Sequence, residues 1–318
     1  MKLFCRWTVG VLVALGSFAL AACGAGSPSP APRSEVAASS PTAPAAAVAP
    51  IAPAAAAAAA VPVAPAVPSL PPDAEHAGEA LARSPRHGEW VDVPLPEGGK
   101  LVTWVVYPEV PSKAGVVIVI HEIFGLTDWV RAVTDSLAAQ GFIALAPDLL
   151  SGMGPGGGGT ASLGENVGPT IRTLTPATVA ARLDAVRAYA LALPAASGKL
   201  GAVGFCWGGS AVWNYAVAQP KLDAGVVFYG TSPADVSAYA RIGAPVLGLY
   251  GSDDARVNAT IPAAEAEMKK AGKRYTPRLF QGAGHGFLRQ QSGRDGANRK
   301  ASEQAWPAML ELFQQRLK

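Results

Sequence analysis

Short apolar runs alternate with amphipathic segments through the C-terminal two thirds of the chain. Residues 115–120 form a continuous, mostly β-branched run, which is typical of a strand buried on both faces. Residues 128–140 repeat their apolar positions with helical spacing, and Gly141 follows as a stop signal. Strand and helix signals alternate in this way to the C-terminus. The pattern predicts an α/β fold with a mostly parallel twisted sheet and helices on both of its faces.

The same criteria predict further elements. The other predicted strands cover residues 101–107, 142–146, 200–205, 224–229, 245–250 and 275–280. The other predicted helices cover residues 176–193, 206–219, 261–271 and 297–317. Parallel sheets place functional residues beyond the C-terminal ends of their strands, so this edge is where we expect the site.

The N-terminus has the pattern of a secretory leader. Lys2 and Arg6 precede an apolar run that is too short for a membrane span, which needs roughly 20 residues. The run ends in Leu20-Ala21-Ala22-Cys23, which resembles the bacterial lipobox, although an ordinary cleavage site is also rich in alanine. We expect a signal peptide at 1–22 and a lipid on Cys23 that anchors the protein to a membrane of the bacterial cell envelope. An aspartate directly after the lipidated cysteine would indicate retention in the inner membrane. Gly24 occupies that position, so the sequence favours the outer membrane.

A change of composition marks the boundary of the folded domain. Residues 24–72 are mainly Ala, Pro, Ser and Val, and their only charged residues are Arg33 and Glu35. Frequent proline interrupts the alanine runs, so a long helix is disfavoured. We therefore predict an extended, disordered tether at 23–75 and one folded domain at 76–318.

Charge and cysteine content narrow the function. The formal net charge of the 318 residues is +3, and no block is rich in Lys or Arg, so nothing favours nucleic acid as a partner. Of the three cysteines, Cys5 and Cys23 lie in the leader region, and Cys206 stands alone in the rest. A lone cysteine has no intrachain disulfide partner. Cys206 is therefore either a small buried hydrophobe or a reactive thiol.

The surroundings of Cys206 favour the reactive thiol. The segment Gly204-Phe205-Cys206-Trp207-Gly208 has the form G-x-S-x-G of a nucleophile elbow, with cysteine in the serine position, and it joins a predicted strand to a predicted helix. Its glycines allow the strand and the helix to approach closely. A helix N-terminus favours thiolate. The alternative is a glycine-rich turn with an incidental cysteine.

Two further residues complete a candidate triad in the chain order nucleophile, acid, histidine. His285 is the only histidine after Cys206, and it directly follows a predicted strand. Asp254 follows the preceding predicted strand, whereas its neighbour Asp253 is more typical of a turn residue. We predict that Asp254 orients His285 and that His285 takes the thiol proton.

An acyl-transfer site also needs two donors for the oxyanion of its tetrahedral intermediate. The backbone N–H of Trp207, the residue after the nucleophile, is the first candidate. The backbone N–H of Ile123, in the loop after the 115–120 strand, is the second.

Four segments together resemble the dienelactone hydrolase family, the carboxymethylenebutenolidases, over residues 88–313. They are His121-Glu122-Ile123-Phe124-Gly125, Ala146-Pro147-Asp148-Leu149, Gly204-Phe205-Cys206-Trp207-Gly208-Gly209 and Gly284-His285-Gly286-Phe287. The resemblance implies an α/β-hydrolase that acts as a monomer and opens lactones or small esters without a cofactor. It further implies that Glu122 lies beside Cys206 and controls ionisation of the thiol when substrate enters.

The resemblance is incomplete where the family binds the carboxylate of its substrate. Arg289 matches one family arginine, and it is the residue expected to bind substrate. A second arginine is expected soon after Asp148-Leu149, but none occurs before Arg172. Residues 151–176 form a long glycine-rich segment at the predicted site edge, and we expect either a mobile lid or a flexible insertion.

Other functions fit part of this pattern. His121-Glu122 begins like the zinc motif H-E-x-x-H, but Gly125 stands where the second histidine belongs, so we expect no metal. The same triad could hydrolyse a thioester, a peptide or a xenobiotic ester. A surface lipoprotein that only binds a ligand is a further alternative, although no member of the triad is missing.

Overall fold

The computed structural model describes residues 69–318. In these residues the strands are β1 (Gly88–Pro94), β2 (Lys100–Val106), β3 (Ala114–Ile120), β4 (Ile143–Pro147), β5 (Ala196–Phe205), β6 (Ala224–Phe228), β7 (Val246–Asp253) and β8 (Tyr275–Gly284). The α-helices are α1 (Ala77–Ala82), α2 (Asp128–Ala139), α3 (Thr160–Leu163), α4 (Val167–Ile171), α5 (Pro176–Ala192), α6 (Trp207–Ala218), α7 (Ala255–Asn258), α8 (Ile261–Lys270) and α9 (Ala297–Leu317). Short 3₁₀ helices cover Pro155–Gly157, Gly164–Asn166, Val236–Arg241 and Arg294–Gly296.

The strands form one sheet in the order β1-β2-β4-β3-β5-β6-β7-β8. The pairs β1–β2 and β2–β4 are antiparallel, and all other neighbours are parallel. The C-terminal ends of six neighbouring strands therefore meet at one edge, which is the edge where the sequence predicts the site.

Alternate residues of the central strands pack on opposite faces of the sheet. In β3, Val116, Ile118 and Ile120 join a core with apolar residues of α5, α6 and α8. Val117 and Val119 join a second core with residues of α2 and α9. This two-sided burial explains why the β3 segment is apolar throughout, and it confirms the predicted α/β class.

Two elements near the N-terminus were missing from the sequence predictions. Strand β1 is an edge strand in which only Val93 is buried, so it lacks the apolar run by which the other strands were found. Helix α1 has 6 residues, of which only Ala77 is buried, and it is too short to show a helical period. Strands β7 and β8 also run further than predicted, because they remain paired as far as Asp253 and Gly284.

Segment 151–176 is built of short helices, so it is not a structureless insertion. Leu163, Val167 and Ile171 of this segment form a small apolar cluster with Leu150. Ile123 and Trp207, which the sequence names as oxyanion-hole residues, pack against this cluster. The segment therefore supports the loops that carry both residues.

The folded unit begins before residue 76, so the predicted tether at 23–75 extends too far at its C-terminal end. Ala74 N–H donates to the Arg289 carbonyl at 3.0 Å. Gln291 Nε2 donates to the Pro71 carbonyl at 2.9 Å, and Trp129 Nε1 donates to the Pro72 carbonyl at 3.1 Å. The predicted signal peptide, Cys23 and the tether up to residue 68 lie outside the described residues. No helix within residues 69–318 has the length and hydropathy of a membrane span.

Asp148 fixes the start of segment 151–176. Its Oδ2 accepts the Thr160 backbone N–H at 2.7 Å, and its Oδ1 accepts the Thr160 hydroxyl at 2.7 Å. Oδ1 also accepts the Leu150 N–H at 3.1 Å. Thr160 Oγ1 in turn accepts the Leu126 N–H at 3.0 Å, so this buried carboxylate ties the segment to the loop after β3.

We expect Asp148→Ala to loosen this segment. The substitution leaves buried donors unpaired and should lower the free energy of unfolding by about 3 kcal/mol. Denaturant unfolding measures this loss, and limited proteolysis should show faster cleavage within 151–176. Asp128→Ala is the matched control, because the Asp128 side chain is 61% exposed and pairs only with Arg131. Equal protease resistance in Asp148→Ala and the unmodified protein would contradict the anchoring role.

Candidate active site

Cys206 occupies the sharp turn between β5 and α6. Its φ of 55° lies in the left-handed region, which is strained for a residue with a side chain. A Cβ on Gly204 would overlap the Gly208 carbonyl oxygen, and a Cβ on Gly208 would overlap the carbonyl oxygens of Ile120 and His121. The two glycines of the elbow are therefore required by backbone contact.

His285 and the candidate acid lie beyond the ends of neighbouring parallel strands. Asp254 follows β7 and His285 follows β8, and His285 Nδ1 lies 2.6 Å from Asp254 Oδ2. The Asp254 side chain is buried, whereas that of Asp253 is exposed and pairs with Arg294. Of the two candidate acids, Asp254 is thus the one that contacts His285.

The two predicted oxyanion-hole donors both lie at the thiol. The backbone groups of Trp207 and Ile123 lie close enough to the sulfur to lower the pKa of Cys206. The Trp207 group comes from the start of α6, and the Ile123 group comes from the loop after β3. An N–H pair that stabilises sulfur charge in this place can also stabilise an oxyanion formed on an attacked carbonyl.

Glu122 is buried beside the thiol and pairs with Arg289. It is 3% exposed, and its Oε2 lies 3.3 Å from Arg289 Nε. Burial raises the pKa of Glu122 to about 7, although the Arg289 charge opposes the increase. The carboxyl group can therefore exchange a proton near neutral pH.

The resting thiol is protonated more strongly than the sequence suggested. Burial is the main cause of the raised pKa of Cys206, and the negative charge of Glu122 is the second. The backbone groups of Trp207 and Ile123 and the charge of Arg256 lower the pKa of Cys206 but do not outweigh these effects. The helix N-terminus does favour thiolate through the backbone of Trp207, but burial and the neighbouring carboxylate have the larger effect on the pKa in this state.

Arg289 is not a free cation. Besides Glu122, its guanidinium contacts the Phe124 ring, with 4.7 Å from Cζ to the ring centroid. The sequence placed Arg289 at the site, but it gave no sign that its charge is shared with the carboxyl group of Glu122 beside Cys206. A substrate carboxylate at Arg289 would therefore compete directly with Glu122.

His121 has a structural position. Leu149 N–H donates to His121 Nε2 at 3.1 Å, so the proton is on Nδ1, which donates to the Glu122 carbonyl at 2.9 Å. Complete burial lowers the pKa of His121 and keeps the ring neutral. Both ring nitrogens are thus engaged. Within residues 69–318 no group of three or more His, Cys, Asp or Glu side chains is arranged to hold a metal ion.

Two residues at the site had no sequence signal. Asn298, at the start of α9, accepts the Gly284 N–H at 3.0 Å and donates to the Gln290 carbonyl at 2.7 Å. It therefore fixes both ends of the loop that carries His285. Tyr229 follows β6 with a φ of 40°, and its ring centroid lies 5.1 Å from that of His285 in an edge-to-face contact. The sequence indicated Tyr229 only as the last residue of a strand.

The sheet order and the nucleophile turn at the end of β5 place the chain in the α/β-hydrolase fold. The model of the Dienelactone hydrolase family matches residues 101–317, and the chain belongs to that family. This membership makes the protein a hydrolase, in agreement with the resemblance found in the sequence.

Individual relatives support the same assignment. A protein of Methylorubrum extorquens, provisionally named a carboxymethylenebutenolidase, is 31% identical over 239 residues, which cover 71% of this chain and 80% of the relative. A provisionally named dienelactone hydrolase of Klebsiella pneumoniae has a crystal structure with a TM-score of 0.65 and 26% identity, covering 72% of this chain and 99% of that one. A dienelactone hydrolase-like promiscuous phosphotriesterase from metagenomic libraries has a TM-score of 0.62 and 25% identity, covering 73% and 99%.

The buried carboxyl group should leave a signature in the pH dependence of stability. The pKa of Glu122 is about 7 in the folded state against an ordinary value of 4.5. Between these values the unfolded chain loses the proton and the folded chain keeps it, so stability falls as pH rises and the loss is complete above pH 7. Glu122→Gln should abolish a loss of up to about 3 kcal/mol.

Denaturant unfolding of both proteins from pH 4.5 to pH 8 measures this difference. We expect the stability of Glu122→Gln relative to the unmodified protein to grow from pH 4.5 to about pH 7 and then to level off. Parallel pH profiles would show that the Glu122 carboxyl group titrates normally.

Proposed function

We propose that the protein hydrolyses a lactone or a small carboxylic ester through Cys206, His285 and Asp254, with an acyl-enzyme intermediate. One observation carries the proposal. His285 Nδ1 lies 2.6 Å from Asp254 Oδ2, and this pair lies at the same edge of the sheet as the Cys206 thiol, which occupies the sharp turn between β5 and α6. The oxyanion-hole N–H groups at that thiol support the same reaction class.

In the proposed reaction the Cys206 thiolate attacks the carbonyl carbon, and the carbonyl oxygen becomes an oxyanion held by the N–H groups of Ile123 and Trp207. Glu122 accepts the thiol proton, as argued below, and passes it to His285, which delivers it to the leaving oxygen when the C–O bond to the leaving group breaks. Water, deprotonated by His285, attacks the thioester and releases the acid, and the thiol regains its proton. Asp254 holds the ring and stabilises its positive charge.

Glu122 is proposed to control when the thiolate forms. Among the described contacts, the His285 ring touches Asp254 and Tyr229, and no hydrogen bond joins it to Cys206. Glu122, with a pKa of about 7, is a base that can accept the thiol proton at neutral pH. A substrate carboxylate that draws Arg289 away would leave Glu122 more basic, because the Arg289 charge lowers its pKa. Substrate binding would thus promote transfer of the thiol proton to Glu122.

The substrate is proposed to be small, and the active unit to be a monomer. The names of the relatives point to lactones as substrates. The relative from metagenomic libraries is named a promiscuous phosphotriesterase, so a similar protein also hydrolyses phosphate triesters. A phosphotriester therefore belongs among the substrates tested.

We expect the protein to hydrolyse p-nitrophenyl acetate and a dienelactone. Cys206→Ala should lower kcat/KM for both by a factor on the order of 10³ to 10⁶, because the nucleophile is lost. One equivalent of iodoacetamide should have the same effect on the unmodified protein. Initial rates with and without iodoacetamide measure this loss. The ratio of kcat/KM for the dienelactone to kcat/KM for p-nitrophenyl acetate shows whether Arg289, already paired with Glu122, suffices to bind a substrate carboxylate.

Asp253→Asn is the matched control for Asp254→Asn. We expect a large loss of kcat in Asp254→Asn and none in Asp253→Asn, because of these two aspartates Asp254 is the one that contacts the His285 ring. Unchanged esterase activity in a folded Cys206→Ala protein would refute the thiol mechanism. Folded protein with an alkylatable thiol but no turnover of lactone, carboxylic ester or phosphotriester would refute the substrate class.

We further propose that a lipid on Cys23 anchors the protein in the bacterial cell envelope. The support is the leader sequence that ends in Leu20-Ala21-Ala22-Cys23. With the full chain expressed in a bacterium that has the lipoprotein pathway, labelled palmitate should be incorporated and the protein should sediment with membranes. Cys23→Ser should lose both properties, whereas Cys206→Ser should retain them. A labelled Cys23→Ser protein would contradict the proposal, and separation of the two membranes tests the outer-membrane location.

A further inference from the structure

The hydroxyl group of Tyr229 lies at the site but has no role in the proposed reaction. The residue is fully buried, and its Oη has no hydrogen-bond partner. Seven buried side-chain polar atoms of residues 69–318 lack a partner, and Tyr229 Oη is the one hydroxyl among them. An unmade hydrogen bond of a buried polar group destabilises the folded state. Apolar packing explains the ring, but a phenylalanine ring would pack in the same way.

The backbone places Tyr229 next to the nucleophile. Strands β5 and β6 are parallel neighbours, and Cys206 N–H donates to the Phe228 carbonyl at 3.0 Å. Cys206 and Tyr229, which follow directly on these strands, both have positive φ, at 55° and 40°. Glycine would adopt this backbone without strain, so the conformation of Tyr229 is maintained in spite of its side chain.

The charged groups around the hydroxyl are those of the site. Negative charge on Glu122 and on Cys206 raises the pKa of Tyr229, in addition to the main effect of burial, and Arg289 lowers it. The ring also lies against His285, whose other contact is Asp254. The hydroxyl therefore remains protonated and can serve as a donor to an anion that forms near it.

We propose that the Tyr229 hydroxyl donates a hydrogen bond to the Cys206 thiolate once the thiol proton has left. This inference rests on the proposed function, in which the thiolate is the attacking species. In the resting state the donor is unpartnered, so a bond made only to the thiolate stabilises the reactive form and not the ground state. Tyr229 would thus offset part of the burial and charge effects that keep the thiol protonated.

Tyr229→Phe tests this role because it removes only the oxygen. The readout is the rate of iodoacetamide alkylation from pH 6 to pH 10, followed at the Cys206 peptide of the full chain by mass spectrometry. We expect alkylation at pH 7 to be about tenfold slower, with the pH profile moved to higher pH, as for loss of a hydrogen bond to a charged group. Thermal stability should be unchanged or higher, because an unpartnered hydroxyl is removed.

Four other charged or titratable side chains face this part of the site: Glu122, Arg289, Arg256 and His285. The variant leaves all four in place, so a changed alkylation profile reports on the Tyr229 hydroxyl. Tyr215→Phe is the matched control, since the buried Tyr215 hydroxyl donates to Asp184 at 3.0 Å. It should be less stable than the unmodified protein and should have an unchanged alkylation profile.

Superimposable profiles for Tyr229→Phe and the unmodified protein would overturn the inference. A uniform slowing at every pH with the same midpoint would also overturn it, because that result assigns Tyr229 to packing alone. Alkylation requires no ester substrate. A shifted profile without ester hydrolysis would therefore count against the proposed reaction and leave the Tyr229 hydrogen bond standing.

Discussion

Close backbone packing around the turn at Cys206 is the constraint on which the site depends. The cysteine can hold a φ of 55° only if the strand before it and the helix after it are confined. Gly208 packs on carbonyl groups of the β3 end, and Gly230 packs on the backbone of the first turn of α6. No side chain separates β3, β5, β6 and α6 at this place. The same close packing brings Ile123 and Tyr229 to Cys206, so the turn and its surroundings form one unit.

The electrostatics of the site follow from burial in this unit. A carboxyl group and a thiol share a region with little water, and each raises the cost of charge on the other. Arg289 reduces this cost only in part, since it also lies against Phe124. The arrangement is less stable than an apolar core would be, which is common where reactivity requires groups in unfavourable surroundings. The supporting parts, Asn298 and segment 151–176, hold it in place through ordinary hydrogen bonds and apolar contacts.

Local sequence patterns predicted the features that depend on local physics. Two-sided burial makes β3 apolar, and the tight turn at Cys206 requires its glycines, so both could be recognised. The partnership of Glu122 with Arg289 joins residues far apart in the chain, and only the fold brings them together. Leu163, Val167 and Ile171 have helical spacing, but the adjacent glycine run obscured it. Strand β1 was missed because an edge strand needs few apolar residues.

The protonated resting thiol has a consequence for the lifetime of the protein. Peroxides oxidise thiolates far faster than thiols, and Cys206 has no second cysteine within residues 69–318 to rescue a sulfenic acid as a disulfide. Burial and the Glu122 charge keep the sulfur in its less reactive form while no substrate is present. The groups that raise the pKa of the thiol should therefore also slow its oxidation.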